Sequence, residues 1–155
     1  MATEKLSAQR PNAWLLDFGQ SCRAAVGTRT LLQIIDNPIQ HSLPCTPPYC
    51  SSVLLWQDRL LPVMDLPALL GGLPLPPRYI AVVAYQDRLH ESVRFGALQL
   101  DALPVAVAVS DEQACPLPEQ PSGWSKFAIS CFSHQGVAIP VLHPGRIFAR
   151  PDDAR

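Results

Sequence analysis

Three groupings in this 155-residue chain carry the atoms that metal binding or nucleophilic catalysis would need. His41, Cys45 and Cys50 fall within ten residues, and Cys22 could complete a set of four ligands. A structural metal site needs thiolates and imidazoles converging tetrahedrally, with a spacing such as C-x2-C. The spacings here are H-x3-C and C-x4-C, the second interrupted by Pro47-Pro48, so ordinary packing is the expectation. Cysteine nucleophiles need a neighbouring imidazole and an oriented third group. The pairs Cys131 with His134 and Cys45 with His41 offer the first but no elbow or oxyanion motif, and Cys131 reads as a small buried apolar group. Neither G-x-x-x-x-G-K-[ST] nor G-x-G-x-x-G occurs, so nucleotide binding has no motif support. No cofactor is expected.

Single acids border apolar runs at Asp65 and Asp101. Such acids accept backbone N–H bonds at strand ends and turns, and a structural role is expected for both. Trp56 precedes the polar turn Gln57-Asp58 and reads equally as core or as an interface anchor. An anchor would weaken partner binding on Trp56→Ala with little change in Tm.

The elements that must position these residues are short. Strand-length apolar or alternating runs cover 14–18, 24–27, 30–35, 53–56, 59–65, 79–85, 92–100, 104–109, 126–132 and 137–142, about ten strands in all. Seventeen prolines, about twice the ordinary share, leave no room for long helices. Leu66 to Leu70 is one helical turn at most, stopped by Gly71-Gly72, and Leu73 to Pro77 separates two halves that meet near 71–78. Asp111 to Gly123 reads as an exposed loop, and 1–12 and 149–155 as tails.

With 48% hydrophobic residues the chain can bury a core, so it is not disordered as a whole. Twelve basic against 13 acidic residues give a net charge of -1 and no polybasic surface, so no nucleic-acid partner is expected. Apolar runs reach eight residues, as in Ala102 to Val109, and the first dozen residues hold no apolar leader. A cytoplasmic protein with no membrane insertion is expected. Five cysteines without a leader argue against a disulfide framework.

The most informative feature is an internal echo. VLLWQDRLLPVMDLPALL (53–70) returns in diverged form as ISCFSHQGVAIPVLHPGRIF (129–148), with Pro62-Val63-Met64 matching Pro140-Val141-Leu142 and Leu69-Leu70 matching Ile147-Phe148, 78 residues apart. Each copy is a strand, a polar turn, a second strand carrying Pro-Val, and a short apolar turn or helix. Two copies imply two similar β-subdomains, each too small for a robust core, that bury apolar faces against one another.

The segment Leu43 to Leu66, LPCTPPYCSSVLLWQDRLLPVMDL, resembles the CheW family of bacterial chemotaxis coupling proteins, which reads approximately LPxxPxxVxGVINLRGxVVPVIDL there. Phe95 to Val105, FGALQLDALPV, is similar to the family's VGLxVDxVxxV strand pair, and the likeness covers about residues 13–148. The resemblance implies an all-β fold of two intertwined five-stranded SH3-like barrels and a non-catalytic scaffold. By the same resemblance, the partners are the regulatory domain of a CheA-type histidine kinase and the cytoplasmic tip of a methyl-accepting chemoreceptor, in membrane-associated arrays. Carried over by motif position, Leu31, Trp56, Gln57, Asp58, Arg59, Leu103 and Ala106 would border the receptor groove.

Where the family has Asn-Leu-Arg-Gly, this chain has Leu55-Trp56-Gln57-Asp58. The basic side chain of that turn is absent, Asp58 must replace its glycine, and Arg59 follows two residues on. The departure fits a specialised or diverged coupler, as in a pilus or other non-flagellar system, and the general chemotaxis protein equally. From a different class, a small cysteine-dependent or metal-binding enzyme remains the alternative reading.

Overall fold

The computed structural model describes residues 10–74, 76, 78–86 and 91–148. The expected tails at 1–9 and 149–155 lie outside the described residues. Asn12, by contrast, is anchored: its backbone N–H donates to Val107 O, and its side chain exchanges two 2.8 Å bonds with the Val109 backbone.

Eleven strands and two short helices follow in order: β1 (Ala13–Asp17), β2 (Arg23–Gly27), β3 (Leu31–Asp36), β4 (Gln40–Ser42), β5 (Ser52–Trp56), β6 (Arg59–Met64), α1 (Leu66–Leu69), β7 (Tyr79–Tyr85), β8 (Arg94–Leu100), β9 (Val105–Val107), β10 (Ala128–His134), β11 (Val137–Leu142) and α2 (Pro144–Ile147). All ten expected strands form. The additional β4, Gln-His-Ser, lies at a sheet edge on β5; backbone pairing holds it, and its polar side chains carry no apolar alternation to announce it.

The strands make two sheets of matching plan, β10-β11-β2-β1-β9 and β4-β5-β6-β8-β7-β3. Each pairs an antiparallel hairpin to a second antiparallel pair through one parallel contact, Val141 beside Ala25 in one and Val63 beside Ala97 in the other. The sheets interlock along the chain, because the middle of the chain builds one and both ends build the other. The repeated prolines have a place in this plan. Pro62 and Pro140 each stand one residue before the parallel ladder begins, where a missing N–H does not interrupt it.

The 78-residue echo is structural as well. The hairpins turn at Gln57-Asp58 and Gln135-Gly136, with φ of 47°, 60°, 49° and 78°. Both residues of each turn are left-handed, the twist that matches two-residue hairpins. Asp65 and His143 precede the two helices with nearly the same backbone angles; the Asp65 carboxylate accepts from Ala68 N–H at 3.2 Å, whereas His143 makes no side-chain cap.

The largest core cluster lies between the sheets and joins Leu16, Phe18 and Val26 of one to Met64, Val83, Leu98 and Leu100 of the other. Smaller clusters fill each sheet's own concavity, one around Leu54, Leu61, Ile80 and Val82, the other around Ala25, Phe132 and Ile139. In β7, Ile80 and Val82 face the small cluster and Ala81 and Val83 the shared one. A strand covered on both faces must be apolar throughout, which explains the unbroken run YIAVVAY.

Candidate docking surface

Edge strand β3, Trp14 of β1 and the loop residues just before edge strand β9 frame an apolar cleft of about 330 Å³ lined by Trp14, Leu31, Leu32, Gln33, Ile34, Leu103 and Pro104. Leu103 and Val105 are each 57% exposed and Leu32 47%. Exposed apolar side chains grouped in this way make the cleft a candidate contact surface. Leu31 and Leu103, distant in sequence, share this cleft. Ala106 lies opposite Trp14, whose ring lines the cleft wall.

Trp56 reaches the same place from the β5–β6 hairpin. Its indole N–H donates to Gln33 Oε1 at 2.9 Å, and Gln33 is a cleft residue. The other side of its ring leans on Phe95, with centroids 5.3 Å apart and planes at 49°. Trp56 is therefore half-buried, packed against a core cluster on one side and partly exposed on the other. Arg59, directly opposite Trp56 in the hairpin, lays its guanidinium over the Phe95 ring at 4.8 Å, a cation–π contact. Gln57 and Asp58 close the turn beyond them. From Ala106 through Trp14 to the cleft, and through Gln33 and Trp56 to Arg59, the seven sequence-derived positions form one connected path across both sheets.

Two features escaped sequence reasoning. Leu55 and Leu60 face each other across the hairpin and are 58% and 67% exposed. Period-2 alternation from buried Leu54 and Leu61 points them outward, a signal readable once the hairpin register is known. Beside them a second cleft of about 430 Å³ is lined by Arg59, Leu60, Tyr85, Val93, Phe95 and Phe148 among others.

The candidate ligand and nucleophile sets are dispersed. Cys22 is in the shared core, while His41 and Cys45 are exposed. Among the described residues no group of three His, Cys, Asp or Glu could hold a metal ion. Burial, aided by Asp17 and Asp65, pushes the Cys22 thiol up to about 12. Burial, together with the hydrogen bond shared with Cys115, does the same to Cys131, also to about 12, and burial raises Cys50. Groups so shifted are thiols at neutral pH and poor nucleophiles. Cys131 and His134 are three apart on one strand, an odd spacing that sends them to opposite faces. Asp65 caps α1 as expected of a structural acid, and Asp101 pairs with Arg78 at 3.8 Å. No described helix is long and apolar enough to cross a membrane.

Two interlocked SH3-like sheets thus carry an apolar cleft beside their edge strands, the architecture of a scaffold. The CheW-like domain profile matches residues 19–152, and the chain belongs to that family, a chemotaxis scaffold or adaptor by class. Its fold is similar to the crystal structure of the scaffolding protein TtCheW from Thermoanaerobacter tengcongensis, with a TM-score of 0.73, 13% identity, and coverage of 92% of this chain and 95% of that one. No curated protein matches the sequence.

Proposed function

We propose that the chain is a non-catalytic cytoplasmic adaptor that bridges the regulatory domain of a CheA-type histidine kinase and the tip of a chemoreceptor coiled coil, in a pilus or other non-flagellar array. The observation that carries this reading is the continuity of the β3–β9 cleft with the hairpin turn through the Trp56–Gln33 bond. An apolar channel of this kind suits one ridge of a helical hairpin, read as anchors at i, i+3 and i+4. The kinase domain docks elsewhere, barrel against barrel, so one chain holds both partners and a receptor shift biases the kinase's conformational equilibrium. A charge-poor surface makes receptor binding only modestly salt-dependent.

The test is calorimetric titration with the regulatory domain of each CheA-type kinase from the same genome, and separately with a receptor-tip coiled coil. Micromolar or tighter binding, about 8 kcal/mol or more, is expected to one kinase and to the tip. Leu103→Arg places a charge in the cleft mouth and should abolish tip binding while kinase binding persists. Loss of neither, or silence with every kinase in calorimetry and co-elution alike, overturns the proposal.

A further inference from the structure

Segment 111–117 covers the outer edge of β10, at the far side of its sheet from the docking cleft. Ala114 bridges to Phe132, Cys115 N–H donates to Cys131 O at 3.0 Å, and the Gln113 amide donates to Ser133 O at 3.0 Å. This antiparallel register sets Cys115 directly opposite Cys131, and their sulfurs touch at 3.5 Å. Opposed residues of a hydrogen-bonded antiparallel pair have Cα atoms about 5.5 Å apart, inside the range a disulfide spans. Both thiols are free, Cys131 buried and Cys115 half-exposed.

We propose that Cys115 and Cys131 form an oxidative modification site, in which a peroxide closes a disulfide that staples segment 111–117 onto β10. The half-exposed Cys115 thiolate attacks the peroxide O–O bond and becomes a sulfenic acid, expelling hydroxide that takes up a proton to leave as water. The Cys131 sulfur then attacks the Cys115 sulfur, gives up its proton, and the sulfenic hydroxyl leaves as a second water. Two thiols are oxidised and one hydrogen peroxide is reduced to two waters. Cys131 is buried and in contact with the half-exposed Cys115 sulfur, which assigns it the resolving step; its proximity offsets its weak nucleophilicity, and that step gains rate as pH rises. This site stands independently of the adaptor reading.

The full chain is titrated with hydrogen peroxide, alkylated and mapped by tryptic mass spectrometry. Lys126 separates the two cysteines, so closure joins the peptides 95–126 and 127–146 with loss of two hydrogens. The joined pair is expected as the first oxidation product and should be absent in Cys115→Ser and Cys131→Ser. In Cys131→Ser, Cys115 should accumulate as a sulfenic acid that dimedone traps. Oxidation directed first to Cys45 or Cys50, disulfide-linked dimers in place of the internal bond, or a dimedone adduct on Cys115 of the unsubstituted chain without the joined peptides would each overturn the proposal.

Discussion

Replacing Gly96 with alanine tests how tightly the two sheets are fitted. A Cβ at Gly96 would lie 2.5, 2.6 and 2.7 Å from three ring atoms of Phe148, against about 3.5–4.0 Å for carbons in comfortable contact. The ring can move only into the cleft that it lines with Tyr85, and doing so breaks its stacking on Tyr85, at 5.5 Å with planes 13° apart. The backbone is held, because β8 is hydrogen-bonded between β6 and β7. Overpacking of this kind costs about 1–3 kcal/mol, the range expected here. For a chain of this size Tm should fall by about 2–12 °C. The repeat supplies the rescue. Aligned through Val63–Ala97 and Val141–Ala25, Ala24 stands where Gly96 does and Leu70 where Phe148 does, so the small and large partners have been exchanged. Gly96→Ala combined with Phe148→Leu recreates the first pair and should be about 1–2 kcal/mol more stable than the single changes summed. Urea denaturation of the four proteins measures the cycle. A Gly96→Ala variant within about 0.5 kcal/mol of the parent, or strict additivity, would refute the reasoning.

The hairpin turn places Gln57 and Asp58 at φ of 47° and 60°, a strain that Asn-Gly accepts freely; Gln57→Asn with Asp58→Gly should raise stability by about 0.5–1 kcal/mol in the same denaturation assay. Trp56→Ala removes the ring from Phe95 as well as the Gln33 bond, so it should cost about 1–3 kcal/mol of stability and, where the variant is still folded, weaken receptor-tip binding by about tenfold or more in calorimetry. Unchanged stability would show the ring to be purely an interface group, contrary to its packing.

Short apolar runs bounded by turn residues announced β5 and β6, and the unbroken apolar run announced β7. The candidate docking positions were legible only through resemblance, because Leu31 and Leu103 carry no local mark that separates them from core leucines. Asp58 was expected to take the turn glycine's geometry, but the equal strain at Gln57 was not foreseen, since a single residue type does not declare which two-residue turn the strand twist will select. Gln33 and Phe95, which hold Trp56, were missed for the same reason: their importance lies in what they touch.

Taken alone, the amino-acid sequence determined strand content, the absence of long helices, the 78-residue repeat and the poverty of charge, because each depends on neighbours within a few residues or on composition. Tertiary structure decided which strands share a sheet. The parallel contacts of β6 with β8 and β11 with β2 join segments whose order along the chain does not predict their pairing, and interlocking the sheets lets two weak cores share a larger one. From that arrangement alone come the cleft between β3 and β9 and the meeting of Cys115 with Cys131, since both depend on edges brought together by burial rather than by local pattern.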